Sequence, residues 1–402
     1  MQRILVIGAG FAGMWSALAA ARLLDREGVD ASKVEVALVA PEPALTIRPR
    51  LYEAGPAQMA APLQSLFDAT GVRYIQGIVE TIRTAANEVV VVDAHRNRST
   101  LAYDRLILAA GSRLFRPDIP GLREHAFSVD QRDEAAALEA HCHALARRPA
   151  TRARDTVVVA GGGFTGIELA AELPARMRAI LGNGAGVRVI VVEQAGAIGP
   201  DLGPGPRPVI QQALAELGVE CWLGRAVTAV DADGVMTSRG ERIEANTVVW
   251  TAGLRASALT EQIPGERDRL GRLLVDRDLR VPATPNVFAT GDTAHAATDD
   301  DGHHALMSCQ HALSLGRSAG NNAAADLLGL PTMPYRQIRY VTCLDLGPWG
   351  AVLTEGWERE VKNAGAEVKQ LKRFINGQLI YPPKADRAEA FAAADPATII
   401  VK

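Results

Sequence analysis

The chain has 402 residues, 48% of them hydrophobic and 22% charged, and a formal net charge of −3 at pH 7. A chain longer than about 250 to 300 residues usually splits into more than one hydrophobic core, so we expect two or three folded domains. The small negative charge and the lack of a dense Lys and Arg block argue against nucleic acid as a partner. No stretch approaches the roughly 18 uninterrupted apolar residues of a membrane span, so we expect a cytoplasmic protein whose membrane contact is at most peripheral.

The first region has the pattern of a β-α-β unit followed by antiparallel strands. Half of a parallel sheet is predicted from four successive segments. They are a β-branched run at residues 4–7, a glycine turn, a helical stretch at 14–24 and a second run, KVEVALVA. The shorter patterns GVRYIQGIVETI and NEVVVVD follow, and the apolar run of DRLILAAGS ends at glycine. We therefore predict an α/β region with an antiparallel insert.

The glycine turn of this unit matches the spacing G-x-G-x-x-G at Gly8, Gly10 and Gly13. The first glycine makes the tight turn, the second lets the backbone approach a pyrophosphate, and the third lets the helix pack on the strand. The helix N-terminus then presents free N–H groups and a partial positive charge to the phosphates. The strand before and the helix after the glycines complete the pattern of a dinucleotide site.

The same pattern restarts after a second break in the chain. Residues 146–155, ARRPATRARD, are basic, polar and interrupted by proline, which predicts a linker. Gly161, Gly163 and Gly166 repeat the spacing, and the following strand VRVIVVE ends in Glu193. A carboxylate there can accept hydrogen bonds from the ribose of NAD and repel the 2′-phosphate of NADP, so we predict NADH. The alternative is that Glu193 only ends a strand.

The first unit has no acid at the corresponding strand end. Strand VEVALVA ends in Ala40, and the nearest acid is Glu42, so Glu42 or backbone groups must hold the ribose of an FAD bound there. The segment ATGD supports a flavin, because Asp292 can accept a hydrogen bond from a ribitol hydroxyl while the next helix start faces the ring. An ordinary N-cap aspartate is the alternative interpretation.

Six motifs of the chain, taken together, resemble those of a known family: GAGFAG, RPRLYEA, LILAAGS, GGGFTGIELAAEL, WTAG and ATGD. The resemblance is to the two-dinucleotide-binding-domain flavoproteins, above all the type II NADH dehydrogenases and the apoptosis-inducing-factor-like reductases. The resemblance implies an α/β fold with two Rossmann-like domains, one for FAD and one for NADH, and a smaller C-terminal α+β domain. It divides the chain into a first FAD-binding segment, an NADH-binding domain, a second FAD-binding segment and a C-terminal acceptor or dimerisation domain, at residues 1–115, 116–265, 266–328 and 329–402.

The resemblance also implies roles for single residues. Glu168 corresponds to the family's glutamate beside the nicotinamide and the flavin, and a first-turn helix acid favoured by the dipole is the alternative. Gly253 of WTAG implies a backbone passing close to the nicotinamide. Arg48, and Ala110 and Gly111 of LILAAGS, are implied to bind the flavin cofactor.

The acceptor side resembles the family less closely. The quinone-site helix of type II NADH dehydrogenases reads A-Q-x-A-x-Q-x-G, and the corresponding stretch here is CQHALSLG. Gln310 is kept, whereas Ser314 replaces the second glutamine, so the implied acceptor is quinone-like and its site is altered. Trp349 is predicted at the acceptor site, with core packing or a homodimer contact as alternatives. We expect no basic amphipathic helix of the membrane-docking type in the C-terminal segment.

We predict neither a metal site nor a catalytic thiol. Disulfide reductases need two cysteines early in the FAD domain, and the first cysteine here is Cys142. A thiol relay through Cys309 and Cys343 is a minor alternative, because free cysteine is commonly a small buried hydrophobe. The histidines beside Asp299–Asp301 fit an acidic surface loop better than a closed ligand set.

These residues predict an enzyme that passes electrons from NADH through FAD to a quinone or quinone-like small molecule. The two cofactors carry the chemistry, so the protein mainly positions them and needs no nucleophile. One rival hypothesis is an NADH-binding flavoprotein that acts through redox-dependent protein interaction. Another is a biosynthetic FAD-dependent oxidoreductase with a specific small-molecule substrate.

Overall fold

The computed structural model describes residues 1–398. Within them the strands, in chain order, are β1 (Gln2–Ile7), β2 (Val34–Ala40), β3 (Ala44–Thr46), β4 (Ala60–Pro62), β5 (Arg73–Gln76), β6 (Ile78–Arg83), β7 (Glu88–Val92), β8 (Arg98–Ala102), β9 (Arg105–Leu108), β10 (Ser112–Leu114), β11 (Thr156–Ala160), β12 (Arg188–Glu193), β13 (Val219–Leu223), β14 (Val227–Asp231), β15 (Gly234–Thr237), β16 (Arg242–Glu244), β17 (Thr247–Trp250), β18 (Leu254–Ala256), β19 (Leu273–Leu274), β20 (Val287–Ala289), β21 (Ala294–His295), β22 (Val341–Asp345), β23 (Ala351–Glu355) and β24 (Glu360–Gly365).

The α-helices alternate with these strands in the first two thirds of the chain and follow them at its end. They are α1 (Phe11–Arg26), α2 (Gln64–Thr70), α3 (Leu122–His125), α4 (Arg132–Leu145), α5 (Arg152–Asp155), α6 (Phe164–Leu181), α7 (Arg207–Glu216), α8 (Cys309–Leu328), α9 (Ala366–Phe374) and α10 (Arg387–Ala393). Short 3-10 turns occur at Arg48–Arg50, Pro56–Gln58, Pro200–Leu202, Ala258–Gln262, Gly291–Thr293 and Gly347–Trp349, and a π-helical turn at Ile375–Leu379.

The first sheet has the order β20-β9-β1-β2-β5 and is parallel throughout. Strands β20, β9, β1 and β2 are largely buried on both faces, as the continuous apolar runs of the sequence predict, whereas the edge strand β5 is partly exposed. Strand β20 comes from far along the chain and pairs with β9, so a late segment completes the sheet that the N-terminus begins. The antiparallel insert is the sheet β6-β7-β8.

The second sheet has the order β13-β12-β11-β17, is also parallel, and carries the antiparallel sheet β14-β15-β16. Strands β10 and β18 form a two-stranded antiparallel ribbon where the chain enters and leaves this second unit. The predicted α/β fold with two Rossmann-like units is confirmed. The division of the chain at residues 115, 265 and 328 stays a prediction, which the membership of the strands in these sheets supports.

Helix α8 packs directly on α1 through two glycines. A Cβ atom on Gly316 would lie 2.5 Å from the carbonyl oxygen of Ala12, and one on Gly320 would lie 2.0 Å from that of Ser16. The Ser16 hydroxyl also donates a hydrogen bond to the carbonyl oxygen of Gly316 at 3.0 Å. This close approach fixes the N-terminal end of α8 beside the first glycine loop.

The C-terminal segment forms the antiparallel sheet β22-β23-β24 with α9 packed against it. A Cβ atom on Gly347 would lie 2.3 Å from the carbonyl oxygen of Ala171, so this segment packs closely on α6. None of the described helices is long and apolar enough to cross a membrane. Helix α9 is short and amphipathic, with Leu371 and Phe374 exposed while Val368 and Lys372 are buried, and the expectation that the segment has no membrane-docking helix stays a prediction.

Candidate functional site

The first glycine loop has the geometry that a dinucleotide requires. Gly8 has a φ of +106°, and a Cβ atom on Gly13 would lie 1.8 Å from the carbonyl oxygen of Gly8. A Cβ atom on Gly10 would have no neighbour within 4 Å, so this position faces open space. Gly10 also caps α1 without a side-chain hydrogen bond, which leaves the N–H groups of the first turn available. The loop therefore fits a pyrophosphate at the N-terminus of α1.

The second loop repeats this geometry at the start of α6. Gly161 has a φ of +118°, and a Cβ atom on Gly166 would lie 1.9 Å from the carbonyl oxygen of Gly161. Gly163 again faces space with no neighbour within 4 Å of its Cβ position, and it caps α6 without a side-chain hydrogen bond. Both loops thus fit the same ligand class.

Glu193 lies at the end of β12 and is 6% exposed. Its Oε2 accepts a hydrogen bond from the Gly162 N–H at 2.7 Å, and its Oε1 accepts one from the Ala195 N–H at 2.7 Å. A carboxylate oxygen can accept more than one hydrogen bond, so the predicted ribose contact is compatible with both. Glu193 also holds the glycine loop in place, a role that the strand pattern did not predict.

Arg48 and Asp292 meet in one polar cluster. The Ser112 hydroxyl donates to Asp292 Oδ2 at 2.6 Å, and Arg48 Nη1 lies 2.9 Å from the Ser112 hydroxyl and 3.4 Å from Asp292 Oδ2. Arg48 also pairs with Asp130. Gly291 packs on the start of α1, since its Cβ atom would lie 2.7 Å from Cβ of Ala12. The cluster is therefore adjacent to the first glycine loop.

The remaining predicted cofactor residues occupy two different environments. Gly111 accepts a hydrogen bond from the Ser257 N–H at 2.9 Å, and Gly253 accepts one from the Phe115 N–H at 3.1 Å, so both flank the β10–β18 ribbon. Ala110 lies directly before that ribbon and is half-buried. Glu42 pairs with Arg132 at 2.8 Å, with 60% of its side chain exposed. The structure thus leaves Glu42 at the surface, apart from the Arg48 cluster.

Glu168 is buried at the junction of α6 and the C-terminal segment. Its Oε1 forms an ion pair with Lys372 Nζ at 2.8 Å and accepts a hydrogen bond from the Asp345 N–H at 3.1 Å. Burial raises the pKa of Glu168 to about 7, even though Lys372 favours the charged carboxylate. A carboxyl group in this state can both hold and release a proton near neutral pH.

The pair is surrounded by further polar contacts that join three parts of the chain. Asp345 accepts a hydrogen bond from the Tyr52 hydroxyl at 2.9 Å and pairs with Lys369 of α9. Burial raises the pKa of Tyr52 well above its usual value, so this hydroxyl stays protonated as a donor. Asn376 donates to Glu53 at 2.9 Å, next to Tyr52. The N-terminal part of the chain therefore reaches the same junction as Glu168.

The predicted acceptor residues lie on two elements, with Gln310 and Ser314 on α8 and Trp349 in the turn Gly347–Trp349. Gln310, in the first turn of α8, has a buried Oε1 without a hydrogen-bond partner within residues 1–398, and Ser314 lies one turn later. Trp349 donates its indole N–H to Glu216 of α7 at 2.8 Å, so it fastens the C-terminal segment to the second unit. Trp357 instead stacks on Tyr340 with ring centroids 4.7 Å apart.

The cysteines and the acidic loop have local structural roles. Burial raises the pKa values of Cys309 and Cys343 to about 11, so neither is a thiolate at neutral pH. Ligand atoms of Asp299, Asp301 and His303 lie within 4.8 Å of one another. The Asp299 carboxylate accepts hydrogen bonds from the N–H groups of Asp301 and His303, which closes the loop on itself.

Comparison with known proteins identifies the family. A family model described as pyridine nucleotide-disulphide oxidoreductase matches residues 2–316. The chain belongs to the pyridine nucleotide-disulphide oxidoreductase family. It is an oxidoreductase of the flavoprotein type, and its cofactors are FAD and NADH.

Similar proteins cover nearly the whole oxidoreductase. It is 47% identical to the NADH dehydrogenase-like protein MT1860 of Mycobacterium tuberculosis, over 98% of each chain. It is 29% identical to the demethylphylloquinone reductase NdbB of Synechocystis, over 88% of this chain and 86% of that one. The solved structure of NDH2 from Plasmodium falciparum in complex with NADH has the same fold, with a TM-score of 0.76 and 16% identity over 98% and 97% of the two chains.

Three residues of this oxidoreductase's site escaped prediction from sequence. Ser112 follows the LILAAG run, yet its contact with Asp292 depends on a strand pairing across the fold. Lys372 and Asp345 meet Glu168 only because the C-terminal segment folds back onto α6. The one available signal for Lys372 was its position among apolar residues at helical spacing.

Proposed function

We propose that this oxidoreductase transfers electrons from NADH through FAD to a quinone. The name of one relative supports a quinone acceptor, since that relative is a demethylphylloquinone reductase. The observation that carries the proposal is the buried Glu168–Lys372 pair where the NADH-binding helix meets the C-terminal segment. A quinone needs protons as well as electrons, and this pair can hold a proton where both cofactor-binding halves converge.

The two glycine loops divide the cofactors between them in this proposal. Gly8, Gly10 and Gly13 would hold the FAD pyrophosphate, with Arg48 and Asp292 placed to contact the rest of that cofactor. Ala110 and Gly111 would lie along it, and Glu42 would approach the adenosine ribose only if it left Arg132. The pairing of Arg48 with Ser112, Asp292 and Asp130 supports a rigid flavin-side cluster.

NADH would be held by Gly161, Gly163, Gly166 and Glu193, with the backbone at Gly253 beside the nicotinamide. When bound, FAD accepts two electrons from NADH and passes them on to the acceptor. The protein supplies orientation, because both glycine loops are fixed by close backbone packing and Glu193 is held at both oxygens. Overall, NADH, one proton and the quinone give NAD+ and the quinol, so electrons and protons balance.

The acceptor would approach the start of α8. Gln310 offers a buried amide oxygen without a partner in the described chain, and Ser314 offers a hydroxyl one turn further on. Glu168 Oε1, shared with Lys372 Nζ, would release the proton that the reduced acceptor takes up. The proposal leaves Trp349 outside this pocket, because its indole N–H is already bound to Glu216.

Peripheral contact with a membrane fits a lipid-soluble acceptor. Helix α9 directs Lys372 inward to Glu168, while Leu371, Phe374 and, in the following turn, Leu379 are 39%, 48% and 43% exposed. Arg373 lies beside them and would favour anionic headgroups. We propose that this face, the α9 apolar face, rests on the bilayer surface from which the quinone is drawn. A homodimer stays a prediction.

An acceptor screen tests the proposed function. Purified enzyme with its yellow cofactor should bleach with NADH under anaerobic conditions and regain its colour within seconds when a short-chain quinone is added. Oxygen and dyes serve as comparison acceptors. If the enzyme stays bleached for minutes with every quinone, the quinone proposal fails. Slow turnover with all acceptors would favour the hypothesis of redox-dependent protein interaction.

A further inference from the structure

A basic groove lies at the ribbon that joins the two halves of the molecule. A cavity of about 340 Å³ is lined by Arg113, Phe115, Arg116, Arg123 and Arg255. A second cavity of about 370 Å³ adjoins it and shares Arg116 and Arg123. Four guanidinium groups therefore surround one region of a chain whose net charge is −3.

Two arginines of the groove project from the face of the ribbon opposite the flavin-side cluster. Arg113 of β10 lies directly opposite Arg255 of β18, so both side chains project from the same face of the ribbon. The preceding residue, Ser112, points to the other face and donates its hydrogen bond to Asp292. Alternation along the strand thus places the Arg113 and Arg255 side chains on the face of the ribbon opposite the Ser112–Asp292 hydrogen bond.

The positive charges of the groove are mostly uncompensated. Arg116 forms an ion pair with Glu134 at 2.8 Å. Within residues 1–398, Arg113, Arg123 and Arg255 form no ion pair, and Arg123 donates only to the carbonyl oxygen of Arg116 at 3.1 Å. Like charges directly opposite each other on paired strands are unfavourable, so the Arg113–Arg255 pair costs stability unless an anion lies between them.

Phe115 adds a planar apolar surface to this site. Its ring is 38% exposed, and the guanidinium of Arg255 lies 4.5 Å from the ring centroid. Arginine binds phosphate with two parallel hydrogen bonds from its planar fork, which is stronger than a single contact from a point charge. A ring stacked on Phe115 would place an attached phosphate chain among the four arginines.

We propose that the groove is a second anion site, which binds a small molecule carrying two or more linked phosphate groups. The site is separate from both glycine loops and independent of the identity of the electron acceptor. Both strands of the ribbon line it, so a bound anion contacts both crossings between the FAD-binding and NADH-binding parts. The required chemistry is the phosphate chain, and a nucleotide diphosphate or inorganic pyrophosphate would provide it.

Calorimetric titration of the holoenzyme with pyrophosphate tests this site. Saturating NAD+ is present throughout, so that the dinucleotide loop is already filled. We expect one saturable site per chain and an affinity that falls as salt is raised, because salt screens exposed charges. The double variant Arg113→Gln/Arg255→Gln should bind at least about tenfold more weakly, since two charge-assisted contacts are lost.

The matched control is Arg83→Gln, which removes an arginine of similar exposure on the β6-β7-β8 insert. It should bind pyrophosphate as the parent does. Tighter binding of ADP than of pyrophosphate, lost on Phe115→Ala, would identify the ligand as a nucleotide, and equal binding of the two would identify the phosphate chain alone. The proposal is overturned if pyrophosphate does not bind in the presence of saturating NAD+, if binding never saturates, or if the double variant binds as tightly as the control.

Discussion

Gly10 and Gly163 differ from the other glycines of their loops, as the separate roles expected of the G-x-G-x-x-G positions imply. Gly13 and Gly166 lie against backbone oxygens, so a side chain at either position would prevent the helix from packing on the loop. Gly10 and Gly163 face open space with φ of −69° and −80°, which any residue can adopt. At these two positions, the absence of a side chain therefore leaves room for the ligand and is not needed for packing. Substitutions at single glycines can thus distinguish an effect on binding from an effect on folding.

Alanine substitutions at these positions should separate the two cofactors. Gly163→Ala should fold normally and keep FAD but bind NADH at least about tenfold more weakly, because the methyl group occupies the position of the pyrophosphate. Gly10→Ala should fold and lose FAD. The measurements are bound-flavin absorbance and NADH titration. Gly13→Ala is the contrasting control and should reduce soluble protein, and unchanged NADH affinity in Gly163→Ala would remove this loop from the site.

The buried Glu168–Lys372 pair makes stability and activity depend on pH. A carboxyl group whose pKa is about 7 when folded and 4.5 when unfolded binds more protons in the folded state between these values. Stability should therefore fall as pH rises from about 4.5 to about 7, and Glu168→Gln should lose this dependence. The rate of quinone-dependent reoxidation should lose its inflection near pH 7 in the same variant. An unchanged pH profile would contradict a proton role for Glu168.

Removal of Lys372, the ion-pair partner of Glu168, also tests this pair. Lys372→Met should destabilise the holoenzyme by about 3 kcal/mol at pH 8, because a charged carboxylate is left buried and unpaired. The loss should be smaller at pH 6, where Glu168 is mostly protonated. The double variant Glu168→Gln/Lys372→Met is the control and should recover most of the lost stability. Thermal unfolding at the two pH values measures the difference, and equal losses at both would contradict the prediction.

At the scale of elements, α8 links the cofactor loop to the acceptor side. Its glycines at positions 316 and 320 let its backbone lie against α1, and this contact carries its first turn, with Gln310, to the first glycine loop. Helix α9 lies between Glu168 and the surface. Its inner face contacts Glu168, and its outer face is apolar and exposed. In the proposed function, these two helices would therefore border the approach of the acceptor.

Gly320→Ala should disturb this arrangement. The new methyl group would lie 2.0 Å from the Ser16 carbonyl oxygen, and backbone atoms of two packed helices cannot yield without separating. We expect a loss of about 1 to 3 kcal/mol of stability and weaker FAD retention. Gly377→Ala is the matched control, because a Cβ atom there has no neighbour within 4 Å, and it should unfold at the parent's temperature. Thermal unfolding with flavin fluorescence measures both effects.

At the scale of the whole molecule, two parallel sheets lie side by side and the C-terminal segment bridges their cofactor-binding edges. Tyr52, Glu168 and Asp345 come from the three parts and meet at one junction. The α9 apolar face lies on the outside of that junction. In the proposed function, an acceptor drawn from the bilayer would approach the junction from this side.

The α9 apolar face predicts binding to lipid vesicles. Leu371→Ser/Phe374→Ser should lower co-sedimentation with anionic phospholipid vesicles at least about tenfold, since each apolar side chain contributes about 1.5 to 3 kcal/mol when fully buried. Oxidation of NADH by a water-soluble quinone should be unchanged. Ile78→Ser, at a 61% exposed position on the antiparallel insert, is the control. Equal sedimentation of the two variants would rule out this face as the contact surface.

Sequence alone determined the family, the two Rossmann-like units and the glycine positions, because each strand, turn and helix of a dinucleotide loop is contiguous in the chain. It also indicated Arg48, Asp292 and Glu168 singly, because they lie in the motifs RPRLYEA, ATGD and GGGFTGIELAAEL. Only the tertiary structure decided their partners. Ser112 reaches Asp292 across 180 residues, and Asp345 reaches Glu168 across 177. Such contacts leave no periodic signal in sequence, because they depend on how sheets, ribbon and C-terminal segment pack together.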